Sequence, residues 1–227
     1  MKPLLILLST LGGASAAVIS VTDSATTLIP DGSSSGVVRT LSVVSAPGDY
    51  ITGVEVDLDL GAAPGFTAFL GDLYIYLQHG ADLAVLTNRV GRRVGSSGGY
   101  GDNQPMNVTF SMLATNDIHN YRLTLNGNHT TPLTGALTGT WQPDGRAVDP
   151  AVALDTSPRT AGLDVFSGDD ANGVWGLLAV DMSTGATHQI NAWTLRLTTV
   201  PEPGSAVLAA GVAAFAFTRR RRTPSAQ

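Results

Sequence analysis

Between Val54 and Leu60 the chain reads Val-Glu-Val-Asp-Leu-Asp-Leu, four apolar residues alternating with three acids. Successive side chains of a strand point to opposite faces. This stretch therefore predicts a strand with Val54, Val56, Leu58 and Leu60 in a core and Glu55, Asp57 and Asp59 in water. A helix would scatter the acids over both of its sides. The same alternation sets Leu73, Ile75 and Leu77 against Tyr74 and Tyr76, and Trp193, Leu195 and Leu197 against Thr194 and Arg196. Shorter apolar runs at 37–44, 83–88, 106–112 and 175–182 add four further strands.

Turn-forming stretches at Pro30, Ala46, Gln78, Ser96 and Ser183 separate these runs. Seven or more short strands at such spacing predict an all-β domain, a jelly-roll-like β-sandwich. The 26 glycines, 12 prolines and 14% charged residues argue against a helical bundle. The proline-rich segment 138–162 has little periodicity, and two readings of it stand: a long loop wrapped over the sandwich, or a flexible insertion.

The two ends differ from the body. Lys2, the apolar run from Leu4 to Leu8 and the small residues ending in Ala14-Ser15-Ala16 have the three regions of a secretory signal peptide, predicted to span 1–16 with cleavage after Ala16. At the other end, Pro201-Glu202-Pro203 precedes a short apolar run, predicted to be a hydrophobic helix, and then Arg219, Arg220, Arg221 and Arg222. The apolar run is too short for a stable span, which needs about 20 residues. Its alanines and glycines bury little surface, and the arginines would hold the cytoplasmic side. Residues 17–200 keep 8 of the 13 bases and 17 of the 18 acids, a formal charge of −9. Such a body is a poor partner for phosphate backbones, so no nucleic-acid binding is expected. With no cysteine, disulfides, thiolate metal sites and cysteine nucleophiles are excluded.

Three stretches in order resemble the P domain, also called the Homo B domain, that follows the catalytic domain of proprotein convertases. They are Ile29-Pro-Asp-Gly leading to the strand at 51–60, Gly71-Asp72-Leu73 with the hairpin down to Gly91, and the segment from Phe166 through Asn172-Gly173-Val174-Trp175 to Trp193-Thr-Leu-Arg-Leu197. Trp141-Gln-Pro-Asp-Gly145 is similar to the stretch before that last hairpin. The departures are the inserted residues before Gly71, where the family often has a His-Thr pair, and Val174 where it commonly has threonine. The resemblance implies a sandwich over 17–200 that packs on and stabilises a subtilisin-like protease. Only about a dozen residues separate the expected cleavage from Ile29, too few for a catalytic domain, so the expectation is a free-standing P domain. The tail 201–227 resembles the PEP-CTERM sorting signal of Gram-negative bacteria, which implies export across the inner membrane, transient membrane insertion of the tail, and an exosortase as partner.

The candidate chemistry is sparse. His79, His119, His129 and His188 each lie in or beside a turn sequence, and no serine stands in a nucleophile-elbow context. The expectation is exposed turn histidines and no catalysis. Asp169, Asp170 and Asn172 share one turn, with Asp164, Asp181 and Asp72 elsewhere. The five aspartates are candidate calcium ligands, because calcium takes six to eight hard oxygens, yet Asp and Asn also form turns without any metal. Trp175, Trp193 and Phe166 are expected in the core rather than on a sugar-stacking platform. The leading expectation is a non-catalytic cell-surface or extracellular-matrix protein that meets extracellular polysaccharide or envelope components. The alternative is an accessory domain docking in trans on a separately encoded protease.

Overall fold

A computed structural model describes residues 15–201. The expected leader, save its last two residues, and the tail beyond Pro201 lie outside them, including the expected apolar helix and the four terminal arginines. The strands are β1 (Ala17–Asp23), β2 (Thr27–Ile29), β3 (Val37–Val43), β4 (Asp49–Ala62), β5 (Leu73–His79), β6 (Asp82–Asn88), β7 (Met106–Ser111), β8 (Leu137–Trp141), β9 (Gly173–Asp181) and β10 (His188–Pro201). One short helix, α1 (Tyr121–Asn126), lies between β7 and β8. Two sheets result. The first runs β1-β10-β4-β7-β8, with β2 also paired to β10, and the second runs β3-β9-β5-β6.

Each run read as a strand from its alternation is a strand, with the predicted side inward. Val56, Leu58 and Leu60 of β4 and Leu195 and Leu197 of β10 are all at most 1% exposed, and Trp193 lies directly beside Leu58 in the register. From the second sheet Leu73, Ile75, Leu77, Trp175 and Leu177 close the same core. Phe166 meets Trp175 edge to face at 4.9 Å between ring centroids. All three aromatics assigned to the core are buried. Each fully buried large side chain contributes about 1.5–3 kcal/mol.

The outer face of the first sheet holds the acids, as the alternation requires. Arg196 makes a paired contact to both oxygens of Asp57, and Thr109 donates to the same carboxylate at 2.7 Å. Arg39, projecting from β3, ties the sheets together at one edge through Asp23, the Ala25 carbonyl and Thr27 Oγ1.

Residues 138–162 settle between the two readings in favour of the wrapped segment, with one addition. The first residues form β8, which pairs parallel with β7 from Met106↔Leu137 to Phe110↔Trp141. The remainder covers the free edge of β6: Val85 N–H donates to Ala161 O, Gly145 N–H to Val85 O and Asp144 N–H to Leu86 O, all within 3.0 Å. An exposed strand edge would otherwise offer these groups to another chain.

A second irregular region, between β7 and β8, is pinned by Asp102. Its Oδ2 accepts Tyr121 O–H at 2.5 Å and Arg122 Nε–H at 2.7 Å, and its Oδ1 accepts the Leu133 N–H at 2.8 Å. Burial pushes this carboxyl up, but the hydrogen bonds from Arg122, Tyr121 and Leu133 outweigh it and hold it below the usual carboxylate value. The stability from a depressed carboxylate is present above its unfolded value and is lost as pH falls through the folded one. Asp102→Asn is therefore expected to cost about 3–5 kcal/mol at neutral pH, as for any broken buried ion pair. The deficit should shrink below about pH 4, and denaturant unfolding of both proteins across pH 2–7 checks it.

Candidate functional site

The last strand, β10, runs into the start of the tail. Thr199 is fully buried, paired on one side with Ala17 of β1 and on the other with Ile51 of β4. Val200 pairs with Tyr50 and Pro201 with Asp49. Proline has no N–H to offer a ladder and is tolerated at such a strand end. The folded sheet thus continues into the first residue of Pro201-Glu202-Pro203. On the other side, β1 begins at Ala17, the residue after the expected leader cleavage. Both segments expected to be processed leave the domain at one end of the same sheet.

Residues 199–222 match the family model of the PEP-CTERM protein-sorting motif.

The match implies an exported protein whose tail is recognised and processed by an exosortase, and such signals mark proteins sent to the envelope or surface of Gram-negative bacteria. Pro201, Glu202, Pro203 and Arg219 to Arg222 all fall within it. No family match accompanies the P-domain resemblance. No curated protein and no solved structure matches the chain significantly. Among the described residues no helix is long and apolar enough to cross a membrane.

The five candidate calcium ligands separate into two groups at opposite ends of β9. Asp169 and Asp170 precede its first residue, and Asp164 lies in the 3₁₀ turn Leu163–Phe166 beside them. Asp72 and Asp181 meet at the far end, where Leu73 pairs with Asp181. Nine residues of strand put about 25–30 Å between the groups. Two of the five also have carboxylate oxygens engaged by other groups. Asp170 Oδ1 accepts the backbone and side-chain N–H of Asn172, which hold its carboxyl below the usual value. Asp181 Oδ2 contacts His188 Nδ1 at 2.7 Å and Oδ1 accepts the Ser183 N–H. Among the described residues no three His, Asp or Glu side chains form a metal-ligating group. The structure does not bring the five together.

The histidines correct the sequence reading, which placed them in exposed turns. His119 and His188 are both fully buried. His119 Nδ1 contacts Asp144 Oδ2 at 2.7 Å and its Nε2 the Arg92 carbonyl at 2.9 Å. His188 Nε2 likewise faces the Phe69 carbonyl at 3.1 Å. His79 stacks on Trp175 at 4.2 Å, with its nitrogens against the carbonyls of Val174 and Asp170. His129 Nδ1 takes the Tyr100 hydroxyl at 2.5 Å. Asp144 reaches His119 from another segment of the chain, and Asp181 reaches His188 across the β9–β10 turn, a pairing at no spacing that turn composition reports.

Gly71 of the Gly-Asp-Leu stretch has a clear cause: a Cβ there would fall 2.5 Å from Tyr100 N and 2.8 Å from Tyr100 O. The next residue, Asp72, is buried. Burial raises its carboxyl above the usual value, the Asp181 charge adds to this, and Ser183, Arg89 and His188 oppose it. A raised carboxylate gives stability that is complete below the unfolded value and lost as pH rises through the folded one. Asp72→Asn should accordingly melt higher than the native chain at neutral pH, and the difference should vanish below about pH 4 in melting curves.

Proposed function

We propose that this chain is a non-catalytic protein of the cell surface or extracellular matrix, built from a leader (1–16), a P-domain-like, jelly-roll-like binding or structural module (17–200) and a sorting tail (201–227). The sorting motif at 199–222 carries the reading. The P-domain likeness rests on the three ordered stretches, which fall on β4, on the β5–β6 hairpin and on β9 with β10.

Absence of catalysis is supported by the histidines. A general base needs a ring nitrogen facing the proton it will take. His79, His119 and His188 each have both nitrogens against oxygen acceptors, and His129 faces a tyrosine hydroxyl. Among the described residues no serine or threonine hydroxyl hydrogen-bonds to any of them.

The geometry of β1 and β10 supports a specific order of processing. Because Thr199 and Val200 are part of the sheet, the cut in the tail falls after Pro201. Because Ala17 and Thr199 are neighbours, leader and tail can enter one membrane while the domain between them is folded. Mass spectrometry of the protein from its native host is expected to find an N-terminus at Ala17 and a C-terminus beyond Pro201 that lacks Arg219–Arg222. Recovery of the four arginines would count against the processing, and Glu202→Ala is expected to leave the tail attached. Co-purification of a subtilisin-like protease with the envelope form would favour docking in trans instead.

A further inference from the structure

The outward face of the second sheet carries no charged side chain. Cross-strand register places Val38, Leu178 and Tyr76 in one row and Thr40, Gly176 and Gln78 in the next, with Ser42 beside Val174 beyond them. Val85, the neighbour of Tyr76 on β6, is fully buried beside the segment 142–161 and bounds the face on that side. Tyr74 stands on the same face as Tyr76, the two rings 5.6 Å apart and tilted by 54°. Val38 and Val174 are 57% and 60% exposed, and both tyrosines are partly exposed. The opposite outer surface, on the first sheet, presents Glu55, Asp57, Asp59 and Arg196. In a body bearing 17 acids, one face without any is a selective surface.

Gly176 lies near the middle of this face on the inner strand β9, and nothing in the fold requires glycine there. Its φ is not in the left-handed region, and an added Cβ would meet only Val38 Cγ1, at an ordinary 3.8 Å. A strand glycine often marks a place where a ligand or another chain approaches the backbone. The size of the face decides between those two. Two inter-strand spacings, across β3, β9 and β5, by four or five residues make it about 10 by 15 Å, roughly 150 Å². A stable protein partner covers about 800 Å², so the face is too small for a second copy and suits a ligand a few sugar rings long. The chemistry agrees: the C–H faces of sugar rings rest on tyrosine and aliphatic carbon, while Thr40, Ser42 and Gln78 meet hydroxyls without the desolvation cost of a charge.

We propose that this face binds a neutral oligosaccharide stretch, its rings laid on Tyr74 and Tyr76 and crossing the backbone at Gly176. The proposal rests on the reading of the chain as an exported surface or matrix module and names the site through which it would be retained.

Affinity electrophoresis of the purified full chain through gels containing β-glucan, xylan, mannan or, as the charged control, alginate tests it. Retardation by at least one neutral polymer is expected, weakened about tenfold or more by Gly176→Asp and by Tyr76→Ser, and unchanged by Glu55→Gln on the other sheet. The exposed Gln78→Ala variant, expected to weaken binding less, covers the case in which the other two fail to fold. No retardation by any neutral polymer, or retardation indifferent to all three face variants, would overturn the proposal. So would self-association of the chain that Gly176→Asp abolishes in the absence of glycan binding. Native-envelope retention that ignores these variants would sink the site while leaving the exported-module reading intact. Failure of export would sink that reading, whereas the gel measurement on purified protein stands independently.

Discussion

The pairing of β4 with β10 is the constraint on which the other elements depend. Each strand has 14 residues, and their ladder runs from Ala62↔His188 to Asp49↔Pro201 with only two register shifts. Their shared inner face supplies much of the core, and their shared outer face carries the Asp57–Arg196 pair. β1 and β2 attach to one flank of the pair and β7 to the other. One partner is the last strand of the domain. The core therefore stays open until the chain near Pro201 has arrived, and long-range pairings of this kind form slowly. Since the sorting motif starts at Thr199, closing the domain and presenting the tail involve the same few residues.

The parts of this fold legible in the sequence are those where one strand face is core and the other water. For β4, β5 and β10 a period of two assigns both the strand and its orientation, because a shift of one residue would exchange every side chain between faces. β1 has no such contrast: it is an edge strand with Val18 exposed, and its pairing is dictated by β10 rather than by a buried face of its own. β8 has only Leu137 and Trp141 buried, at its two ends, so its placement depends on β7. α1 has six residues and ends at Gly127, whose φ of +70° is the left-handed cap its last turn needs. Too short to be stable alone, it owes its place to Asp102.

The polar interior was the least legible part. Composition assigns the acids to the surface, yet Asp102, Asp144 and Asp181 are all buried. Their partners come from near and far: Asp144 meets His119 from another segment and Arg146 two residues on, itself held by Asp117, and Asp181 meets His188 across the turn between β9 and β10. Arg92 reaches the carbonyls of Pro150 and Ala151, and Asn88 those of Arg146 and Val148. In a chain without cysteine these contacts tie the segment 142–161 to the sheet edge, each with geometry that only one register satisfies. His119, His188, Asp144 and Asp181, which stand out as chemistry in a string of letters, are in three dimensions hydrogen-bonded to one another or to backbone groups.

The two sheets divide the molecule's tasks. Ala17 and Pro201 both belong to the first sheet, at the same end of it, and that sheet's outer face carries Glu55, Asp57, Asp59 and Arg196. Ala17 and Pro201, close to the limits of the described residues, both lie on the first sheet and not on the second. Among the described residues, the part of the uncharged face on β3, β9 and β5 is left exposed. The sorting motif explains how the chain reaches the surface. The difference between the two faces gives the domain a surface free to hold something once it is there, without interfering with the strands on which its processing depends.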